Sequence, residues 1–228
     1  MGLNISVGAL ADELENDPEG KEHLREQLGL VNVVLAKAGL PAHAEPERCE
    51  GWGAEMFGYS GVHYLRRIAA HLELRGTLPG PGNSDASKDP VVAAYYDIAT
   101  GTARGLKRLL GKPKPRRQSF DHLILHSDAE GFYVPIDFED VLYADRALPL
   151  AGGMIGSSQR LLDECTRLRD ALGIPEDVDP DGDLLWEAAD RQGEGTGWER
   201  YGVEAFTCVR LLHGAKLSVE RGAALVFG

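Results

Sequence analysis

The chain is poor in cysteine and lacks long apolar runs, and both absences limit what it can be. Its three cysteines, Cys49, Cys165 and Cys208, lie far apart in 228 residues and form no Cys-x-x-Cys pair. This spacing excludes a disulfide framework and a cysteine-rich zinc cluster. It favours a reducing compartment, so we expect a cytoplasmic protein. Because there is no run of eighteen apolar residues and no basic-then-apolar leader, we expect neither a membrane span nor a Sec-type signal.

Positive charge is also scarce. The chain has 24 basic against 36 acidic residues, which gives a net charge of −12 and a sequence pI near 5.0. A general nucleic-acid binder needs a basic face to displace counterions from phosphate, so this balance argues against nucleic acid as the partner. It is compatible with a basic partner or a cationic ligand, and it also favours solubility.

What is present is an ordinary globular composition, 43% hydrophobic and 26% charged, in a length that suits one domain over residues 1–228. The periodicity predicts an α+β fold that is mainly helical, with a small mixed or antiparallel sheet. A Gly-, Pro- and Ser-rich stretch near 77–90 predicts a flexible surface loop. We predict helices over 21–37, 60–75, 91–110, 152–172, 184–190 and about 198–219, and strands over 3–7, in a hairpin within 120–138, and at a sheet edge over 223–227.

The stretch 120–138 combines alternating apolar residues with histidines, carboxylates and a glycine turn. In a strand, His122 and His126 would project from one face, and Asp128 and Glu130 would follow in the turn. These four residues are candidate ligands of a divalent metal in a hydrolytic site, and His126, Asp128 and Glu130 are candidate acid–base residues. The alternative is that the histidines are half-buried sheet residues and the carboxylates shape the turn, since no HExxH motif is present.

A second candidate site lies in 51–67, where aromatic residues stand between glycines and lead into a predicted helix. Such a loop can approach a ligand closely, and free N–H groups at a helix start favour anions. We name Trp52, Tyr59, His63 and Arg66 as candidate ligand-binding residues. The alternative is an aromatic loop packed over the core, with Ser60 as a helix cap.

Two further motifs are incomplete. The glycines of 151–156 resemble a dinucleotide fingerprint, but the preceding segment is a poor strand and no acidic residue ends a second strand downstream. We therefore expect no nucleotide cofactor. Residues 177–182 open like a calcium loop, yet Ala188 stands where the closing glutamate is required. This pattern predicts an acidic cap on the next helix.

Four segments together resemble an uncharacterised family of bacterial proteins. They are GLNISVGALAD at 2–12, GYSGVHYLRR at 58–67, FDHLILHSDAEG at 120–131 and GGMIGSSQRLL at 152–162. The segments span most of the chain, which favours a single domain. The resemblance implies no reaction, cofactor or partner.

Two functions follow from these patterns. The first is a non-enzymatic binding protein of the toxin-immunity or regulatory kind, with a protein partner and no role at nucleic acid or membrane. It is favoured by the acidity and by the lack of a complete catalytic motif. The alternative is a small metal-assisted hydrolase that uses the candidate site at 122–130.

Overall fold

A mixed six-stranded sheet, in the order β2-β1-β6-β3-β5-β4, organises the residues that the computed structural model describes, which are 2–11, 18–102 and 114–228. The strands β3 and β5 are parallel, and the other neighbours are antiparallel. The strands are β1 (Asn4–Val7), β2 (Trp52–Glu55), β3 (Gly131–Val134), β4 (Leu142–Tyr143), β5 (Met154–Ser157) and β6 (Leu225–Phe227).

Helices cover both faces of this sheet. They are α1 (Pro18–Lys37), α2 (Gly58–Arg75), α3 (Pro90–Thr100), α4 (Asp121–Ile124), α5 (Ser158–Leu172), α6 (Asp183–Asp190) and α7 (Gly202–Arg221). Alternate residues of one strand serve the two faces, as the period of two requires. Tyr133 of β3 packs with α2, α5 and α7, whereas Phe132 and Val134 pack with α1. The fold is therefore α+β, as predicted. Its buried apolar residues form two clusters, one on each face of the sheet.

Most predicted elements are present. The first strand, the helix ending at Lys37, the helix ending at Arg75, the short helix before Arg191 and the long last helix are confirmed. Helix α3 ends at Thr100 because Gly101 adopts a left-handed conformation there. Residues 103–110 of the predicted helix lie outside the described residues. None of the helices in 2–11, 18–102 and 114–228 combines the length and the apolar character that a membrane span requires.

The prediction of a central hairpin within 120–138 is wrong. Residues 121–124 form the short helix α4, and β3 pairs with β5 and β6 instead of with a strand from 120–126. A short apolar run reads the same in a helix and in a strand, and Phe120, Leu123 and Ile124 are buried on the helical spacing. The predicted single-face projection of His122 and His126 from a strand is therefore also wrong.

Two sheet predictions also need correction. The segment 154–157, which the sequence placed at a helix start, is strand β5, and α5 begins only at Ser158. Strand β6 lies between β1 and β3 and is not an edge strand. Leu225 and Phe227 are buried, which a central position requires and an edge position does not.

Candidate functional site

Helix α4 is held by side chains from other elements. The carboxylate of Glu164 on α5 accepts the backbone N–H groups of His122 and Leu123, at 3.0 and 2.7 Å. The Arg66 guanidinium donates to the carbonyls of Leu123 and His126 from the opposite side. Buried groups at a helix end need such partners. Arg66, a predicted ligand-binding residue, therefore acts as a buried structural tie.

His122 has a defined role within this arrangement. Its Nδ1 accepts the backbone N–H of Ser157 at 3.0 Å, so the proton of the neutral ring is on Nε2, which lies 3.3 Å from the Glu139 carbonyl. Burial lowers the pKa of His122 to about 4. The imidazole is thus neutral at pH 7 and joins α4 to β5.

His126 is buried as well. Its Nδ1 and Nε2 lie 3.2 and 3.0 Å from the carbonyl oxygens of Ser127 and Phe132, and a neutral ring donates to one of them at a time. Its ring stacks on Tyr133 with centroids 4.0 Å apart. Burial lowers the pKa of His126 to about 4.

The two carboxylates predicted to join these histidines, Asp128 and Glu130, are not among the hydrogen-bond partners of His122 and His126. Asp128 lies 2.8 Å from Nε2 of His63 and 3.8 Å from the Arg66 guanidinium, and Glu130 is exposed. The structure thus brings together His63, Arg66 and Asp128, which come from two different predicted sites. Burial, with the nearby Arg66 charge, lowers the pKa of His63 despite Asp128. Across 2–11, 18–102 and 114–228, no three His, Cys, Asp or Glu side chains are arranged to hold a metal ion.

A polar cleft of about 620 Å³ lies beside α4, and its arginines are largely neutralised. Arg117 pairs with Glu139 and Asp140 at 2.5 and 2.9 Å, and Arg160 pairs with Asp137 at 2.7 Å. The cleft is lined by residues of the 117–122 segment, of α5 and of the loop between β3 and β4: Arg117, Gln118, Ser119, Asp121, His122, Glu139, Arg160, Asp163, Glu164, Thr166 and Arg167.

Trp52 and Tyr59 do not join this group. Tyr59 is 41% exposed near the start of α2. Trp52, on β2, donates its indole N–H to Asp181 at 3.3 Å and packs edge-on against His213. Gly156, from the dinucleotide-like motif, has a packing reason instead, because a Cβ there would lie 2.2 Å from the Tyr133 ring.

A strongly charged surface lies in a stretch from which the sequence predicted only an acidic helix cap. We call residues 176–199 the acidic segment: it holds nine carboxylates and one basic residue, Arg191, a net charge of −8 in 24 residues. The rest of the chain therefore carries only −4. All nine carboxylates are exposed: Glu176, Asp177, Asp179, Asp181, Asp183, Glu187, Asp190, Glu194 and Glu199. A net-charge count over a sliding window would have located this surface.

Helix α6 arranges part of this charge in a row. Asp183, Glu187 and Asp190 follow the i, i+4, i+7 spacing and so share one helical face. The opposite face, with Leu185, Ala188 and Ala189, is buried. The row spans about 10.5 Å at about 1.5 Å per residue.

Among the described residues, three of the nine carboxylates of the acidic segment have a basic partner. Glu176 pairs with Arg169, Glu187 with Arg191 at 3.5 Å, and Asp181 lies 4.0 Å from Arg210. Within the part of the chain that the structure describes, the other six carboxylates have no basic side chain at ion-pair distance. The acidic segment therefore presents a concentrated negative potential to solvent.

Comparison with known proteins gives one match. No curated protein and no solved structure matches the chain. The sequence profile of a family described as "Putative DNA-mimic protein" matches residues 1–227. That match agrees with the expectation that one family spans most of the chain, while the four segments as family motifs stay a prediction. The chain belongs to the family described as "Putative DNA-mimic protein".

Proposed function

We propose that this protein is a DNA mimic that binds DNA-binding proteins through its acidic segment. The observation that carries the proposal is the clustering of nine exposed carboxylates in 24 residues of a chain from a family with that description. A protein that recognises DNA offers arginine and lysine to phosphate oxygens. Carboxylate oxygens accept the same charge-assisted hydrogen bonds.

The charge spacing supports this proposal. One strand of B-DNA carries about one phosphate per 3.4 Å of helix axis, or about three per 10 Å. The row on α6 carries three carboxylates, Asp183, Glu187 and Asp190, over about 10.5 Å. Before it, Asp177, Asp179, Asp181 and Asp183 occupy alternate positions, at most about 7 Å apart along the chain. The carboxylates of the row are thus about 5 Å apart on average, so the linear charge density is roughly two thirds of that of a single DNA strand.

The proposal assigns a protein partner with a basic groove and excludes nucleic acid as a ligand, because two polyanions repel each other. It specifies the binding-protein hypothesis that the sequence analysis favoured. Long-range attraction between a −12 chain and a basic groove speeds association and weakens as salt screens the charges.

A displacement experiment tests the proposal. An extract of the source cells is loaded onto DNA-cellulose, which is then washed with the purified protein. The proteins that this wash releases are quantified by mass spectrometry. We expect the wild-type chain to release DNA-binding proteins. The triple variant Asp183→Asn, Glu187→Gln, Asp190→Asn should release them only at several-fold higher concentration, because it removes the row of charge on α6.

The matched control neutralises three exposed helical carboxylates elsewhere, as Glu22→Gln, Glu26→Gln, Glu220→Gln. Each triple removes three charges, one of them from an i,i+4 pair: Glu187 with Arg191, and Glu220 with Lys216. We expect the control to behave like the wild type. If the wild-type chain releases no DNA-binding protein, or if both triple variants lose release equally, a DNA-mimic surface at the acidic segment is refuted.

A further inference from the structure

A buried arginine lies directly beneath the acidic segment. Arg210 of α7 is only 4% exposed, and its Nε donates to the carbonyl of Pro180 at 2.9 Å. Its guanidinium lies 4.0 Å from a carboxylate oxygen of Asp181. One arginine therefore holds the backbone of the acidic segment just before α6 begins.

The guanidinium is itself fixed on its other sides. Its central carbon lies 4.3 Å from the ring centroid of Phe206 and 5.2 Å from that of Trp186, and it also donates to the carbonyl of Glu55 on β2. Trp186 and Phe206 pack edge-to-face, 4.5 Å between centroids. A planar fork that stacks on rings and donates in two directions is a task for arginine, which lysine does not perform.

A second tie acts on the same turn. The indole N–H of Trp52 donates to Asp181 at 3.3 Å, and the Asp179 carboxylate accepts the backbone N–H of Asp181 at 3.0 Å. Strand β2 and helix α7 thus both contact the turn 179–182, which leads into the row on α6.

We propose that Arg210 is the positioning residue of the partner-binding surface, and that Trp52 assists it. This inference rests on the proposed function. A cation under the acidic segment reduces the negative potential, so it does not serve binding through its charge. Its contribution is shape: it holds the carboxylates of the turn in fixed positions relative to the row on α6, and preorganised groups lose less entropy on binding.

Two substitutions at Arg210 separate shape from charge. Arg210→Lys keeps the charge and removes the fork, and Arg210→Gln makes the protein more negative. If Arg210 positions the surface, both variants need about tenfold more protein to release DNA-binding proteins from the loaded DNA-cellulose. If charge alone matters, Arg210→Lys behaves like the wild type and Arg210→Gln releases them more readily. That second pattern would overturn the inference.

Decalysine is the parallel probe, because a flexible polycation responds to charge and little to shape. We expect both variants to bind decalysine at least as tightly as the wild type, which separates a change of shape from a loss of charge. Denaturant unfolding of both variants checks separately that each remains folded. Trp52→Phe keeps an aromatic side chain but removes the indole N–H together with part of the ring system that packs on His213, and it leaves the Arg210 guanidinium unchanged. It should raise the half-release concentration about threefold and leave decalysine binding unchanged.

The outcomes distinguish the two proposals. A wild-type chain that releases no DNA-binding protein overturns the proposed function and this inference with it. A wild-type chain that releases them, with Arg210→Lys and Trp52→Phe equally effective, overturns only the positioning role. Amide hydrogen exchange over 176–183 should quicken in both variants if the ties hold this turn.

Discussion

At the scale of single residues, buried polar groups around α4 link the secondary-structure elements to one another. His122, His126 and Glu164 all bond to backbone atoms of this region. Burial lowers the pKa of both histidines to about 4 and raises that of Glu164 above its usual range. These shifts couple folding to pH in opposite directions.

The first prediction concerns that coupling. Between pH 4 and 6.5 the unfolded chain binds protons at His122 that the folded chain does not, so this residue lowers the free energy of unfolding as the pH falls through that window. His122→Asn keeps an acceptor for the Ser157 N–H and cannot titrate. The variant should lose up to about 3 kcal/mol of this pH dependence, at about 1.4 kcal/mol per pKa unit.

Denaturant unfolding of both proteins at pH 4, 5, 6 and 7 measures this difference. Glu164, with a raised pKa, has the opposite sign, because it makes the fold less stable as the pH rises above its ordinary value. Its effect is common to both proteins and cancels in the comparison. An unchanged difference in unfolding free energy at all four pH values would show that His122 does not titrate as described.

The second prediction concerns metal binding at His122, His126, Asp128 and Glu130, which stays a prediction of the sequence. Both ring nitrogens of His122 bond to backbone atoms, and both of His126 face backbone carbonyl oxygens, one of which accepts its single N–H. Asp128 pairs with His63. We therefore expect protein purified without chelator to hold far less than one equivalent of zinc, manganese or iron. One equivalent by elemental analysis, lost in His126→Ala, would instead support the metal-assisted hydrolase.

At the scale of secondary-structure elements, α6 and α7 meet at a very close contact. Helix α7 begins at Gly202, and a Cβ there would lie 1.8 Å from the carbonyl oxygen of Ala188 near the end of α6. This glycine lets the acidic helix pack against α7, with Leu185 and Ala189 in the core.

The third prediction follows from this contact. Gly202→Ala forces the two backbones apart and should lower the free energy of unfolding by about 1–3 kcal/mol or more. Gly29, exposed in the middle of α1, provides a control, since nothing lies within 4 Å of a Cβ placed there. Gly29→Ala should stabilise the protein by about 0.5–1 kcal/mol. Denaturant unfolding compares them, and equal effects would contradict the contact.

Elements also differ in how far the sequence predicts them. Long helices such as α2 and α7 follow from periodicity and end at glycines, Gly76 and Gly222, in left-handed conformations. Helix α4 does not, because four residues cannot form a stable helix alone and depend on Glu164 and Arg66, distant in sequence. No local pattern records those partners.

The candidate site shows the same division between features that the sequence reveals and features that depend on the tertiary structure. Single-residue reasoning found chemically versatile residues, such as His126 and Arg66, and the structure shows that both contact backbone carbonyl oxygens. The acidic segment was visible as charge density but not as a motif, because recognition by charge needs no fixed spacing of particular residues. Its anchors, Arg210 and Trp52, come from α7 and β2, and only the tertiary structure places them beneath it.

At the scale of the whole molecule, charge is distributed unevenly. The acidic segment carries −8 of the net −12 on one tenth of the chain, while arginines elsewhere pair with carboxylates, as Arg117 does with Glu139 and Asp140. Two thirds of the net negative charge therefore belongs to one exposed segment. Such a polarised molecule can steer a basic partner toward a single orientation.

The measurement that tests the central claim most directly is equilibrium competition. A DNA-binding protein released by the wild-type chain is purified and titrated with a fluorescent duplex at increasing fixed concentrations of this protein, with anisotropy as the readout. We expect the apparent Kd for the duplex to rise in proportion to the concentration of this protein, because both occupy one basic groove. A plateau in that Kd, with duplex and protein bound together in a ternary complex, would contradict DNA mimicry.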